Sequence, residues 1–391
     1  METHFDIEKL NRTPQKKSKL LRHAGLAALS LSLILGTGIA AGSALAYDLV
    51  PVGHVVGIHI ETDGVMIAGI PDTCPDGKTK SPAKDAGFKV GDIIVKVGKA
   101  PVSSAKQLKD AISDASGGQI SVTVVRGSLV SANVEGTSVP AFAGGANIVT
   151  VNSKDKNYVT LSVTPARLPD GTSSIGIMVR DSIAGIGTVT YYDPATKSFG
   201  ALGHAVSDGE TGAVFPLKTG EISSATVAKV TRGKSGAPGQ LEGSYDFDKT
   251  IGSVDKNTNS GIFGQSLNDF DGKVYTVAEE HEIHEGKAQI LSNVEGDSVE
   301  VYDIEIKKVF TENDGKYTDE TDTRDFLIEV SDKKLIEKTG GIVQGMSGSP
   351  VLQDGKFIGA VTHVMINDPA SGYGIAVDRM VNAAQREAAK K

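Results

Sequence analysis

Gly345-Met346-Ser347-Gly348-Ser349-Pro350 decides how this chain is built. A serine set between glycines and ahead of a proline suits a nucleophile on a tight turn. Gly348 lets the backbone bend beside the hydroxyl, and Gly345 lets an N–H point at a developing oxyanion. Downstream, Val351-Leu352-Gln353-Asp354-Gly355-Lys356-Phe357-Ile358-Gly359-Ala360-Val361 reads as a hairpin whose second strand returns toward the serine. Gly372-Tyr373-Gly374-Ile375-Ala376 adds a further strand. Glycine-rich hairpin turns without chemistry share this composition. A serine hydroxyl is a weak nucleophile, so the string means catalysis only beside a base and an acid that orients it.

The chain has eight histidines. His4 and His23 belong to the basic N-terminus, His54 and His59 to an early pair of strands, and His281 and His284 to an acidic stretch. His363 follows the serine, on a strand expected to wall the substrate pocket. His204 remains, in Gly200-Ala201-Leu202-Gly203-His204-Ala205, where small neighbours admit another wall of the protein. It is the base selected here. Asp208, Asp322, Asp325 and Asp332 all lie between base and nucleophile, so the residues alone leave the acid open.

Outward from this pair, the composition favours a mainly-β protein. There are 46 glycines, no tryptophan, and many short runs of Val, Ile and Thr between turn residues. A formal charge of -8 excludes the clustered basic face that nucleic acid requires. The single cysteine, Cys74, permits no internal disulfide and no cysteine-built metal site. No metal or organic cofactor is expected. Residues 1–46 carry Lys16, Lys17, Lys19 and Arg22 ahead of an uncharged apolar run, Ala24 to Ala46. That pattern is a signal peptide or a membrane anchor, with Ala44-Leu45-Ala46 resembling a cleavage site. Everything after Tyr47 is then expected outside the cytoplasm.

Residues 47–166 form the next expected unit. Val55 to Ile60 and Val65 to Ile70 read as strands around the turn Thr62-Asp63-Gly64. Ser81-Pro82-Ala83-Lys84-Asp85-Ala86-Gly87-Phe88-Lys89-Val90-Gly91-Asp92-Ile93-Ile94-Val95-Lys96-Val97 follows, then a helix from Ala105 to Ile112 and a strand from Ile120 to Arg126. This stretch resembles a bacterial PDZ domain, with an inserted loop near 127–157. The resemblance implies that backbone N–H groups around Val56, Gly57 and Ile58 hold a peptide end, with the peptide adding as a strand. A PDZ unit serving only as a spacer fits the same residues. Arg167 to Gly171 reads as a linker, and 167–391 has the size of a double β-barrel.

The GxSGxP turn is similar to that of chymotrypsin-like peptidases. A longer resemblance covers nearly the whole chain. Val179-Arg180-Asp181-Ser182-Ile183-Ala184-Gly185-Ile186-Gly187-Thr188, the run to His204, and Lys338-Thr339-Gly340-Gly341-Ile342-Val343-Gln344-Gly345-Met346-Ser347-Gly348-Ser349-Pro350 closely resemble the SpoIVB peptidases, serine proteases of endospore-forming bacteria. The resemblance implies His204 as base, Ser347 as nucleophile and Asp332 as acid, with Gly345 and Ser347 N–H groups as oxyanion donors. It further implies a sporulation signalling protease that cuts itself and the extracytoplasmic part of a membrane-bound regulatory protein (SpoIVFA in that family). That cut triggers intramembrane processing of a pro-sigma factor, and the implied location is the space between the two forespore membranes. Two rival readings remain. A non-catalytic PDZ adaptor has no reason to keep His204 and Ser347 together. An HtrA-type quality-control protease carries its PDZ unit after the catalytic domain, not before it.

Overall fold

Alternating apolar residues build strands far longer than the short runs expected. Val55–Gly69 is a single strand of 15 residues, not two strands around a turn. Its register shifts between Glu61 and Met66, so the expected turn is a bulge within the strand. The strand serves two cores. Val56, Ile58 and Ile60 enter one, and Val65 and Ile67 enter another. The computed structural model describes residues 47–114, 117–126, 157–311, 314 and 322–385. The expected N-terminal segment 1–46 and all but the last residue of the expected 127–157 loop lie outside them. No helix among the described residues is long and apolar enough to cross a membrane.

The fold is mainly β. Six strands run Val55–Gly69, Thr219–Thr231, Gln240–Thr258, Gly261–Ser266, Ser198–Ala201 and Met178–Asp193, and the last pairs back onto the first. A second barrel closes in the order Gly286–Glu295, Ser298–Val309, Phe326–Val330, Asp368–Ala376, Lys356–Met365, Pro350–Gln353. Ile290, Tyr302, Phe326, Ile328 and Val351 fill it. One of its two-residue hairpins joins Pro350–Gln353 to Lys356–Met365 through Asp354 and Gly355, at φ 49° and 78°. Both central residues with positive φ match the right-handed twist of the flanking strands.

The PDZ unit grows from the first barrel's sheet. Ile93–Val97 pairs with the far half of Val55–Gly69, and Ile120–Val125 and Tyr158–Val163 extend the sheet beyond it. The helix Ala105–Ser113 starts at Ser104, whose hydroxyl accepts the Gln107 N–H, and it buries Leu108 and Ile112 one turn apart. The expected linker is instead a small hairpin, Ala166–Arg167 against Ser173–Ser174. Ile175 then enters the PDZ core, with Ile177 and Val179 packed against it. The division drawn at 166 therefore falls inside the PDZ core, because Met178–Asp193 and Val55–Gly69 each belong to both units.

This sharing corrects the expected peptide-binding residues. Val56, Gly57 and Ile58 pair with Ser224, Ser223 and Ile222 on one side and with Gly187, Ile186 and Gly185 on the other. They form a barrel stave with no open edge. A Cβ on Gly57 would sit 2.6 Å from both Ser223 Oγ and Tyr245 Cβ. Gly57→Val is therefore expected to overpack the barrel and cost about 1–3 kcal/mol. Urea denaturation checks this through a lowered midpoint at unchanged slope.

Candidate active site

The serine turn and the histidine loop meet at Thr188, a fully buried residue of the strand Met178–Asp193. Its hydroxyl donates to the Gly345 carbonyl at 2.7 Å, and its N–H donates to the Ser347 carbonyl at 3.3 Å. Its own carbonyl accepts the Leu202 N–H at 3.1 Å. One residue of the first barrel thus holds both ends of the serine turn and the loop that carries His204. The approach is close enough to require glycine. A Cβ on Gly348, at φ +97°, would stand 2.2 Å from the Thr188 carbonyl and 2.7 Å from the Leu202 nitrogen. No signal in the sequence singled out Thr188.

His204 follows two residues in the left-handed region, Leu202 at φ 71° and Gly203 at φ 72°. A leucine there is strained, and its side chain is held in place by burial in the first barrel's core. The His204 ring is buried. Nδ1 lies 2.8 Å from the Ala205 carbonyl, which can only accept, so Nδ1 carries the proton and Nε2 keeps its lone pair. That Nε2 is buried without a hydrogen-bond partner. Burial pushes the imidazole below the ordinary histidine value, and the Ala205 bond works the other way.

Ser347 Oγ donates to the Thr362 carbonyl at 2.8 Å, so the hydroxyl is occupied and its bond to His204 is not closed. Serine–base bonds of this kind commonly tighten only around substrate. Within the turn, the Met346, Gly348 and Ser349 N–H groups donate to Val343, Val361 and Met346. The Gly345 and Ser347 N–H groups donate to no acceptor among the described residues.

The candidate acids are all engaged elsewhere. Asp332 is the N-cap of the helix Lys333–Thr339 and accepts the Leu335 N–H at 3.0 Å. Its second oxygen lies 3.4 Å from the Asp303 nitrogen. The structure does not join it to His204, because its carboxylate is used to start a helix. Asp208 is buried against Arg180 at 2.6 Å and accepts the Glu210 and Thr211 N–H groups. Asp325 is buried, accepting the Ala376 N–H and pairing with Arg379. Asp322 forms a two-point pair with Arg324.

His363 is what lies beside His204, with ring centroids 5.5 Å apart. Burial pushes its imidazole down to about 3, with His204 and Arg324 adding to the effect and Asp322 opposing it. Among the described residues no cluster of His, Cys, Asp or Glu could hold a metal ion.

A family model described as SpoIVB peptidase S55 matches residues 171–381, more than half of the 391. The chain belongs to the SpoIVB peptidase family. A PDZ-domain model matches residues 75–126, the segment with the two short helices and the sheet extension. No curated protein matches the chain. In this SpoIVB-family peptidase, Gly345, Ser347 and Leu202, which Thr188 bonds, all lie in the stretches that carried the resemblance. Thr188→Val keeps the volume but leaves the part-buried Gly345 carbonyl without its donor. It is expected to cost about 1–3 kcal/mol, whereas Thr188→Ser retains the bond. Chemical denaturation of both variants tests the contrast.

Proposed function

We propose that this peptidase is a serine endopeptidase with Ser347 as nucleophile and His204 as base. The observation that carries the reading is the contact made through Thr188, which holds the glycine-flanked serine against the histidine loop. Turning the Ser347 hydroxyl from the Thr362 carbonyl toward Nε2 of His204 starts the reaction. His204 takes the proton as Oγ attacks a peptide carbonyl, and later delivers it to the leaving amine. The Gly345 and Ser347 N–H groups, unspent within the turn, stabilise the oxyanion. Asp332 enters as the expected acid only once its helix cap is released.

A full-length panel with a fluorophosphonate probe tests the assignment. Ser347→Ala is expected to abolish labelling and self-cleavage, and His204→Ala to remove labelling almost as fully. Asp332→Asn keeps a good cap and loses only the charge. Labelling near the wild-type rate is expected. A loss on the order of 10⁴ in turnover would instead give Asp332 the triad acid's role.

The finer reading follows from the family and the basic, apolar N-terminus. The enzyme acts outside the cytoplasm, between the two membranes of a developing forespore, attached or delivered by its N-terminal segment. Its substrates are its own N-terminal region and the extracytoplasmic part of a SpoIVFA-like membrane regulator, and cutting the latter triggers processing of a pro-sigma factor. The PDZ groove belongs at Met178–Asp181. There, one edge pairs with Val55–Gly69, while the other carries no strand among the described residues. The helix Ala105–Ser113 flanks this segment, its first N–H donating to Asp181 at 2.7 Å. An extended peptide adds at such an edge. Amide hydrogen exchange on the full chain with a free C-terminal peptide is expected to slow at 178–181. Slowing at Val56–Ile58 would return the groove to the earlier assignment.

A further inference from the structure

His204 enters its loop from one strand and leaves it against another. Ser198–Ala201 pairs with Gly261–Ser266, Ala201 opposite Ile262, and delivers the chain to Leu202, Gly203 and His204. After His204 the chain folds back on itself. The Phe215 N–H donates to the Val206 carbonyl, Ser207 bridges Val214, and the Asp208 N–H donates to the Ala213 carbonyl. One side chain closes the neck of this loop. Asn257 Oδ1 accepts the Val206 N–H at 2.9 Å, and its Nδ2 donates to the Val206 and Phe215 carbonyls at 2.8 and 2.9 Å. The whole carboxamide is spent on backbone of the histidine loop. Asn257 reaches that loop because its own strand, Gln240–Thr258, is irregular. Val254 enters the first barrel's core, and the register then shifts between Val254 and Lys256. The extra residue turns Asn257 rather than Lys256 toward Val206 and Phe215, which belong to the same core.

The Val206 N–H that Asn257 accepts belongs to the same peptide unit as the Ala205 carbonyl. That carbonyl faces Nδ1 of His204 at 2.8 Å. We propose that Asn257 is a positioning residue for the base, acting on His204 through the Ala205–Val206 peptide. Hydrogen bonds that run in a chain polarise one another. Accepting the Val206 N–H makes the Ala205 carbonyl a better acceptor, which keeps the proton on Nδ1 and the Nε2 lone pair free for Ser347. The same bonds support the imidazolium formed when Nε2 takes the serine proton. Nδ2, held by two carbonyls, stops the peptide from turning. Asn257 itself gains and loses no proton. Its support adds to that of the triad acid and does not stand in for it. The titratable groups around the base are His363, packed against its ring, and Asp208 and Glu210, both paired with Arg180 farther along the loop. The Arg324–Asp322 pair acts on His363. Burial holds His363 down to about 3, so it stays neutral as His204 titrates.

The inference rests on the serine-peptidase reading, and the test separates the two. The second-order rate of fluorophosphonate labelling is measured against pH for the full-length chain, with a urea midpoint for each variant. Asn257→Leu keeps the size and removes every polar contact. It is expected to label at least about tenfold more slowly, because the base loses its orientation. Its acid limb is expected at lower pH, since the imidazolium has lost support. Asn257→Asp keeps an oxygen for the Val206 N–H and adds negative charge near the base. Its acid limb is expected at higher pH, with labelling faster than in the leucine variant. Should the leucine variant fail to fold, Asn257→Ala gives the same contrast with Asn257→Asp. An acid limb left at its wild-type pH in either variant, whatever the urea midpoint, makes Asn257 a loop anchor only and overturns the proposal. Labelling that survives Ser347→Ala overturns the serine-peptidase reading itself.

Discussion

Three hydrogen bonds at one buried threonine hold the chemistry of this protein together. Thr188 reaches the Gly345 and Ser347 carbonyls on one side and the Leu202 N–H on the other. Those partners come from different barrels, so the site exists only while both barrels are folded and in contact. Such bonds are modest singly, about 0.5–1.5 kcal/mol net, but breaking one leaves a part-buried carbonyl unpaired at greater cost. Close approach follows from the same constraint. With Gly348 pressed against the Thr188 carbonyl, no larger residue fits, and the serine beside it faces the histidine loop.

Two long strands extend that constraint through the molecule. Val55–Gly69 and Met178–Asp193 pair with each other from Val55↔Thr188 to Gly69↔Met178. One end of this ribbon lies at the Ser347 turn and the other at the PDZ sheet. Arg180 adds a second tie, its guanidinium on Asp208 linking the PDZ end of the ribbon to the loop after His204. Asp208 is fully buried there, so the pair is an internal brace rather than a surface ornament. Peptide engaging the open edge at Met178–Asp181 would bear on the strand that also contains Thr188.

The carboxylates explain where inference from sequence stops. Asp332 stands before a helix that its side chain caps, and a cap and a catalytic acid look alike in one dimension: an aspartate at the right separation from a serine. In the structure its oxygens reach Leu335 and Asp303, the second a contact that no local pattern records. Likewise His363 was readable as a pocket-wall residue, but its place beside His204, ring centroids 5.5 Å apart and tilted by 43°, comes from barrel closure, which puts Lys356–Met365 opposite the histidine loop.

The sequence by itself determined the family, the mainly-β character and the PDZ segment, and it nominated Ser347 and His204. Those follow from local patterns: glycine spacing, alternation of apolar residues, and small residues around a histidine. It placed the helix at Ala105 and the hairpin after Pro350 nearly to the residue, because caps and turns are written in adjacent residues. Only the tertiary structure decided which edges are free. Val56–Ile58 looked like an open strand, yet both its sides are taken by partners more than a hundred residues away. Strand pairing across such separations is set by packing and barrel closure, and no local pattern records it. For the same reason Thr188 was invisible in the sequence. Its importance lies entirely in what three distant segments bring to it.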